Sequence, residues 1–218
     1  MFLSDRDLLQ AIENEKLIVE PRPEKIDSTS IDLHLGSIEN AKIWDIEAFK
    51  ADMGCAGHKR PELHIGQYKI GQFGDKYTVA PPEFKNGHDH LVMRRGHEII
   101  VRPFGFLLWM TREKVGTPKK NADLICFVEG KSTKARAGMV VHLTSPNVHS
   151  TWIGNIVLEI VNFGPFDLVF HEGDAVAQLT VCKISSPPGK GVEGTSLTNG
   201  QTEVSGKHGP SQPRAAQY

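Results

Sequence analysis

The chain has 218 residues, 39% hydrophobic and 23% charged, with 25 Lys+Arg against 26 Asp+Glu. That is enough apolar material for one domain core, which excludes wholesale disorder. The lack of a basic excess excludes broad binding along a nucleic-acid backbone. No run of 18 apolar residues occurs, and MFLSDRDLLQ lacks the cationic, apolar and small-residue succession of a leader; a soluble cytoplasmic protein that engages neither membrane nor nucleic acid is expected.

Ser4 is an N-cap candidate for a helix through DRDLLQAIENEKL. Asp5 and Asp7 sit at the positive end of its dipole, Leu8, Leu9 and Ile12 form one apolar face, and the helix is expected to end before Pro21. In STSIDLHLG, Ile31, Leu33 and Leu35 alternate with Ser30, Asp32 and His34, the pattern of a half-buried strand closed by Gly36. Residues 37–95 carry short alternations such as ELHIG and KYTVA and are expected to form strands and long loops. From Gly96 the pattern sharpens into HEIIVRP, GFLLWMT, ADLICFVEG, GMVVHLTS, GNIVLEIVN, FDLVFHEG and AVAQLTVCKI, each bounded by Gly, Pro or Asn. Short apolar runs at regular spacing predict an all-β barrel or sandwich. Residues 185–218 hold six glycines and four prolines and few apolar side chains, a composition that does not bury enough surface to fold alone. The expected organisation is therefore a β-domain over residues 1–184 and a tail over 185–218.

Several motifs fail on context. Gly189, Gly191 and Gly194 spell GxGxxG, but they follow Pro187 and Pro188 and open no helix. Gly130-Lys131-Ser132 ends like a Walker A loop, but Ile125 stands where its first glycine belongs. His88, Asp89 and His90 beside Asn86-Gly87 read as an exposed turn rather than a metal site. Cys55, Cys126 and Cys182 are odd in number and widely spaced, which predicts reduced, mostly buried thiols. The HxE and PCxxC signature of zinc deaminases does not occur.

Two segments carry chemistry. Between two apolar strands, EGKSTKARAG gathers Ser132, Thr133, Lys131, Lys134 and Arg136 beside small residues. A polyphosphate needs that combination, because backbone N–H groups must approach it while cations offset its charge. In GNIVLEIVN, alternation puts Ile156, Leu158 and Ile160 on one face and Val157, Glu159 and Val161 on the other. A carboxylate between two valines is costly unless it is paired, with Arg136 the candidate partner, or kept as a general base.

EGKSTKARAG, VVHLTSPNVHSTWIGNIVLEIVN and HEGDAVAQLTV, with the opening LSDRDLLQAIENEKLIVEP and STSIDLHLG, resemble the dCTP deaminases of the dUTPase-like superfamily. The likeness covers residues 2–36 and 96–184, with 37–95 as a divergent insertion. It implies a distorted dUTPase-like β-barrel with a short N-terminal helix, assembled as a homotrimer with active sites between subunits. It also implies zinc-independent deamination of dCTP to dUTP and ammonia. Glu159 would be the general base, with Ser132 beside the water. The substrate would be held by Lys131, Thr133, Lys134, Arg136, His149, Val157, Leu158 and the tail residue Lys207. Magnesium would enter bound to the triphosphate, with no metal held by the protein itself, and the tail would close over the nucleotide.

Two departures from the family pattern bear on substrate. His149 replaces the aspartate that holds the deoxyribose 3′-hydroxyl in the deaminases and is the base in dUTP pyrophosphatases. In the tail, Glu203, Lys207 and His208 stand where the family pattern resembles KYxxQxG. The alternatives to a deaminase are a non-catalytic nucleotide-binding or regulatory protein of the same fold and a dUTP pyrophosphatase or bifunctional enzyme.

Overall fold

The computed structural model describes residues 1–53, 60–63, 74 and 76–189. Ser4 caps α1 (Asp5–Glu13) in a capping box with Asp7, and Leu8 and Ala11 are its buried residues. The helix stops earlier than the polar pattern predicts. Ile18–Glu20 pairs with another strand, and the burial of Leu17 and Val19 claims that segment for the core.

The strands in chain order are β1 (Ile18–Glu20), β2 (Ile31–His34), β3 (Ile43–Trp44), β4 (Thr78–Val79), β5 (Val92–Arg95), β6 (Glu98–Val101) and β7 (Phe106–Gly116). They continue with β8 (Leu124–Gly130), β9 (Met139–Val141), β10 (Asn147–Val148), β11 (Ile153–Asn162), β12 (Leu168–His171) and β13 (Ala175–Lys183). Among the described residues the short helices α2 (Ile46–Asp52) and α3 (Ser132–Ala135) interrupt them. Every apolar run from Gly96 onward contains a strand, as expected. The segment 37–95 also contains α2, unforeseen in the sequence, which Asp45 starts by accepting a hydrogen bond from the Ala48 N–H.

Among the described residues the strands form four sheets rather than one closed ring: β1-β7-β11-β9, β10-β8-β13-β2, β12-β6-β5 and β3-β4. The fold is thus mainly β and distorted, with two four-stranded layers sharing one core. Leu107, Trp109, Leu158 and Ile160 meet Leu33, Val128, Leu179 and Val181 there, all fully buried or nearly so. Trp109 is satisfied inside the core by donating its indole N–H to the Gly36 and Ser37 carbonyls, at 3.2 and 3.0 Å.

The β7–β11 pairing is irregular. Asn155 pairs with Lys114 but Val157 with Met110, so β7 carries the extra residues between them. The Thr111 hydroxyl repairs the broken ladder by accepting from the Ile156 N–H at 2.9 Å and donating to the Glu113 carbonyl at 2.8 Å. The irregularity turns Glu113 inward, where it is 2% exposed, while Arg112 stays outside.

Cys126 lies in the core, and burial pushes its thiol up to about 12; Cys182 is half-buried and also free. Cys55 falls outside the described residues. A thiol-selective reagent applied to Cys55→Ser protein is therefore expected to label Cys182 in the native state and Cys126 only after denaturation, read by mass spectrometry of peptides.

Asn162 is fully buried at the end of β11. Its amide donates to the Val101 and Phe166 carbonyls at 2.8 and 2.7 Å, and its carbonyl accepts from the Gly164 N–H at 2.9 Å. Asn162→Ala strands all three groups and is expected to cost about 2–4 kcal/mol in urea denaturation.

Candidate functional site

In an antiparallel ladder, directly opposed residues share a face. The inner face of β11 therefore supplies Ile156, Leu158 and Ile160 to the core, and its outer face presents three rows. Val157 opposes Met110, Glu159 opposes Leu108, and Val161 lies between Phe106 and Val140. Leu108, Met110 and Val157 form a second apolar cluster with Trp44 and Phe106 packed against it. Glu159 is thus the carboxylate of an apolar outer face, as the alternation predicts.

Its partner is not the predicted Arg136, with which no ion pair forms among the described residues. The pairing of β9 with β11 continues one residue beyond β9, where the His142 N–H donates to the Glu159 carbonyl at 2.9 Å. The His142 ring stands on the same side, with Nδ1 3.1 Å from Glu159 Oε2. That distance suits an ion pair, but the angle is not that of a hydrogen bond, so among the described residues neither buried atom has a hydrogen-bond partner. The rest of the carboxylate reaches solvent, the Glu159 side chain being 33% exposed.

The segment after His142 is strained as well. His142, Thr144 and Thr151 adopt φ of 54°, 61° and 74°, the left-handed region that non-glycine residues rarely occupy. The far end of this segment is anchored, with Thr151 N–H donating to Thr117 Oγ1 at 2.9 Å and Ser150 donating to the Ala122 carbonyl at 3.1 Å. His149 lies exposed at this turn, its carbonyl accepting from Trp152 N–H at 3.1 Å.

The hydroxyl-and-cation segment forms the single turn α3 rather than an open loop. It leaves β8 where Gly130 approaches Val141, so close that an added Cβ would lie 3.3 Å from Cγ1, and it re-enters β9 through Gly138. Ser132 therefore stands toward the His142 end of β9 and Gly138 toward the other. Gly138 has φ +90°, and a Cβ there would lie 2.1 Å from the Gly164 nitrogen, so only glycine fits. Ser132, Thr133 and Arg136 are exposed, and Lys134 is half-buried. Thr133 and Lys134 border a hollow of about 270 Å³ with Met139, Leu168, Phe170 and Asp174. Lys131 instead turns toward β2 and pairs with Asp32.

Of the predicted site residues, Glu159 and Val157 share the outer face of β11, while Thr133 and Lys134 share the hollow beside Met139 and Leu168 and Lys131 pairs with Asp32. Leu158 faces the core, so only its backbone is free to contact a ligand. Lys207 lies outside the described residues. Sequence reasoning missed His142 and Asp32, which become partners of Glu159 and Lys131 only through strand pairing. Among the described residues no three His, Cys, Asp or Glu side chains are grouped to hold a metal ion, and the His88 and His90 rings stack at 5.9 Å. No helix of the described residues is long and apolar enough to cross a membrane.

Residues 2–184 match the family model described as dCTP deaminase-like. A protein named dCTP deaminase from Haloarcula marismortui is 30% identical over 207 residues, 93% of this chain and 91% of that one. The dCTP deaminase of Marinomonas sp. is 27% identical over 181 residues, 82% of this chain and 81% of its own. Among solved structures, the 2′-deoxycytidine 5′-triphosphate deaminase from Agrobacterium tumefaciens shares the fold with a TM-score of 0.53 at 15% identity. That match covers 83% of this chain, which spans 47% of the longer protein.

Replacing a half-buried carboxylate in an apolar face by an apolar side chain removes a desolvation penalty. Glu159→Leu is expected to stabilise the fold by about 1 kcal/mol in chemical denaturation. A comparable loss of stability would make Glu159 a structural residue.

Proposed function

The chain belongs to the dCTP deaminase-like family, and on that premise we propose that it hydrolyses the 4-amino group of dCTP, releasing dUTP and ammonia. The observation that carries the reading is Glu159, a carboxylate set in an apolar face with His142 Nδ1 3.1 Å from its Oε2.

In the proposed reaction a water oxygen bonds to C4 of the cytosine while Glu159 takes one of its protons. That proton passes to the ring nitrogen N3, and C4 becomes tetrahedral. Glu159 then takes the second proton from the new hydroxyl and delivers it to the exocyclic nitrogen as the C4–N bond breaks. Ammonia leaves, and the ring keeps the oxygen as a carbonyl. One carboxylate serves as base and then as acid, which needs a rigid mount and restricted water. A strand buried on one face and apolar on the other supplies the mount. Val157 and Met110 offer an apolar surface for the pyrimidine.

Ser132 would orient the attacking water. Thr133, Lys134 and Arg136 would receive the phosphates, and His149 would hydrogen-bond the sugar in place of the family's aspartate. Lys207 of the tail would add a further cation. Magnesium enters as part of the substrate, coordinated by the triphosphate oxygens, which suits a turn built from hydroxyls and cations rather than carboxylates. The assembly would be a homotrimer. Exposed Phe104, Phe163 and Phe166 around the Gly138–Gly164 contact are the apolar surface another copy would cover, and light scattering would give three times the chain's mass.

Purified protein given dCTP with Mg²⁺ is expected to lose cytosine absorbance and release ammonia. Glu159→Gln is expected to lower kcat by about 10²- to 10⁴-fold with little change in nucleotide binding. Full activity in Glu159→Gln would overturn the mechanism. Nucleotide-induced thermal stabilisation without turnover would identify a non-catalytic binding protein, and pyrophosphate release from dUTP would identify a pyrophosphatase.

A further inference from the structure

Lys131 is the first cation of the turn, yet its ammonium group is already engaged. It pairs with Asp32, 99 residues earlier in the chain, across the end of the β8-β13-β2 sheet. Both side chains are half-buried, 23% exposed for Lys131 and 32% for Asp32. The Lys131 backbone is fixed too, since its carbonyl accepts from the Lys134 and Ala135 N–H groups, each at 3.0 Å. Asp32 sits on β2 with its backbone held in register opposite Gln178 of β13, so neither partner drifts freely.

The neighbouring charges leave Asp32 to Lys131. The Lys25 ammonium, 2.6 Å from Asp27, holds that carboxyl below the usual range, with Lys131 a smaller contributor. Asp27, Asp32 and Glu113 line one polar hollow of about 360 Å³, in which Glu113 is taken by the His34 N–H at 2.7 Å and Arg112 Nε at 3.0 Å. Among the described residues Lys134 and Arg136 have no ion-pair partner. The turn thus holds two uncommitted cations and one cation restrained from behind.

We propose that Asp32 is a positioning residue that sets the affinity and selectivity of the site for polyphosphate by holding Lys131 in an ion pair a polyphosphate must compete for. The proposal rests on the reading of the turn as the phosphate site. A ligand whose charge reaches Lys131 must weaken the Asp32 pair to recruit it; a ligand that ends at one phosphate has no need to. Asp32 therefore lowers affinity for triphosphates and leaves monophosphates nearly untouched, and the discrimination lies in β2, outside the turn that touches substrate.

The test is calorimetric titration of the full chain with dCTP, dCMP and inorganic tripolyphosphate, each with Mg²⁺. Asp32→Asn is expected to tighten dCTP and tripolyphosphate about two- to fivefold, the range of a partly exposed ion pair, with dCMP unchanged. In a Lys131→Met background the same substitution is expected to give no gain. Asp32→Ser, which keeps neither charge nor amide, repeats the measurement should the asparagine variant fold poorly. Unchanged or weakened tripolyphosphate binding in the Asp32 variants overturns the proposal, as does an equal gain for dCMP. A gain for tripolyphosphate in a protein that does not turn over dCTP upholds it while overturning the deaminase. A wild-type chain that binds neither polyphosphate overturns both.

Discussion

The alternation of side chains along β11 constrains the rest of the molecule. Three of its residues, Ile156, Leu158 and Ile160, must fill the core between the two four-stranded layers. That obligation fixes the direction of the residues between them, so Glu159 has no freedom to turn inward or slide along the strand. A slip of one position would bury the carboxylate and expose Leu158 or Ile160, at several kcal/mol on any reasonable count (roughly 1.5–3 for each apolar side chain). The placement of Glu159, the proposed base, is thereby secured by ordinary hydrophobic burial on the far side of the same strand. The irregularity in β7 belongs to this arrangement, since the pairing Val157–Met110 and Glu159–Leu108 exists only after the register has shifted.

Electrostatics is handled more sparingly than the sequence suggests. Lys131, Lys134 and Arg136 read as three cations for a polyphosphate, but Asp32 offsets one of them before any ligand arrives. On the proposed reading, a triphosphate with about four negative charges at neutral pH meets a turn with an excess of roughly two positive ones. The shortfall explains why a divalent cation carried by the nucleotide, and further cations from the tail or another subunit, would be needed for tight binding. In a chain of formal charge −1 the positive field of the turn is local and partly cancelled from behind.

Much of this was legible in the residues themselves. The short apolar runs located every strand after Gly96 except the two-residue β10, and alternation placed Glu159 on the outer face without any knowledge of its neighbours. The Ser4 cap was equally plain. What escaped was everything decided by pairing across long separations. His142 lies 17 positions from Glu159 and opposes it only because β9 docks on β11, and Asp32 meets Lys131 only because β13 lies between β2 and β8. The predicted Glu159–Arg136 pair failed for the same reason, since proximity in sequence said nothing about which side of β9 the turn occupies. The end of α1 was misjudged because polar residues after Glu13 continue a helical pattern, whereas Leu17 and Val19 are claimed by the core. The α2 helix went unread because it is short and lies in a stretch with no sustained periodicity.

The strain between β9 and β11 ties these strands of argument together. Three non-glycine residues at positive φ within ten positions cost of order 1–3 kcal/mol each, and nothing in the core demands them. They do have a consequence. The left-handed turn at His142 ends the β9 ladder and sets the ring beside the Glu159 carboxylate, and the turn at Thr151, tied to Thr117, returns the chain to β11 with His149 held outward. A relaxed extended segment would instead continue the ladder alongside β11 and carry the exposed turn away from Glu159. The strain is therefore located where it holds two histidines, one against the carboxylate and one toward solvent, at opposite ends of a single segment. Substrate selection by the outer histidine and control of the carboxylate by the inner one would then depend on the same stretch of backbone.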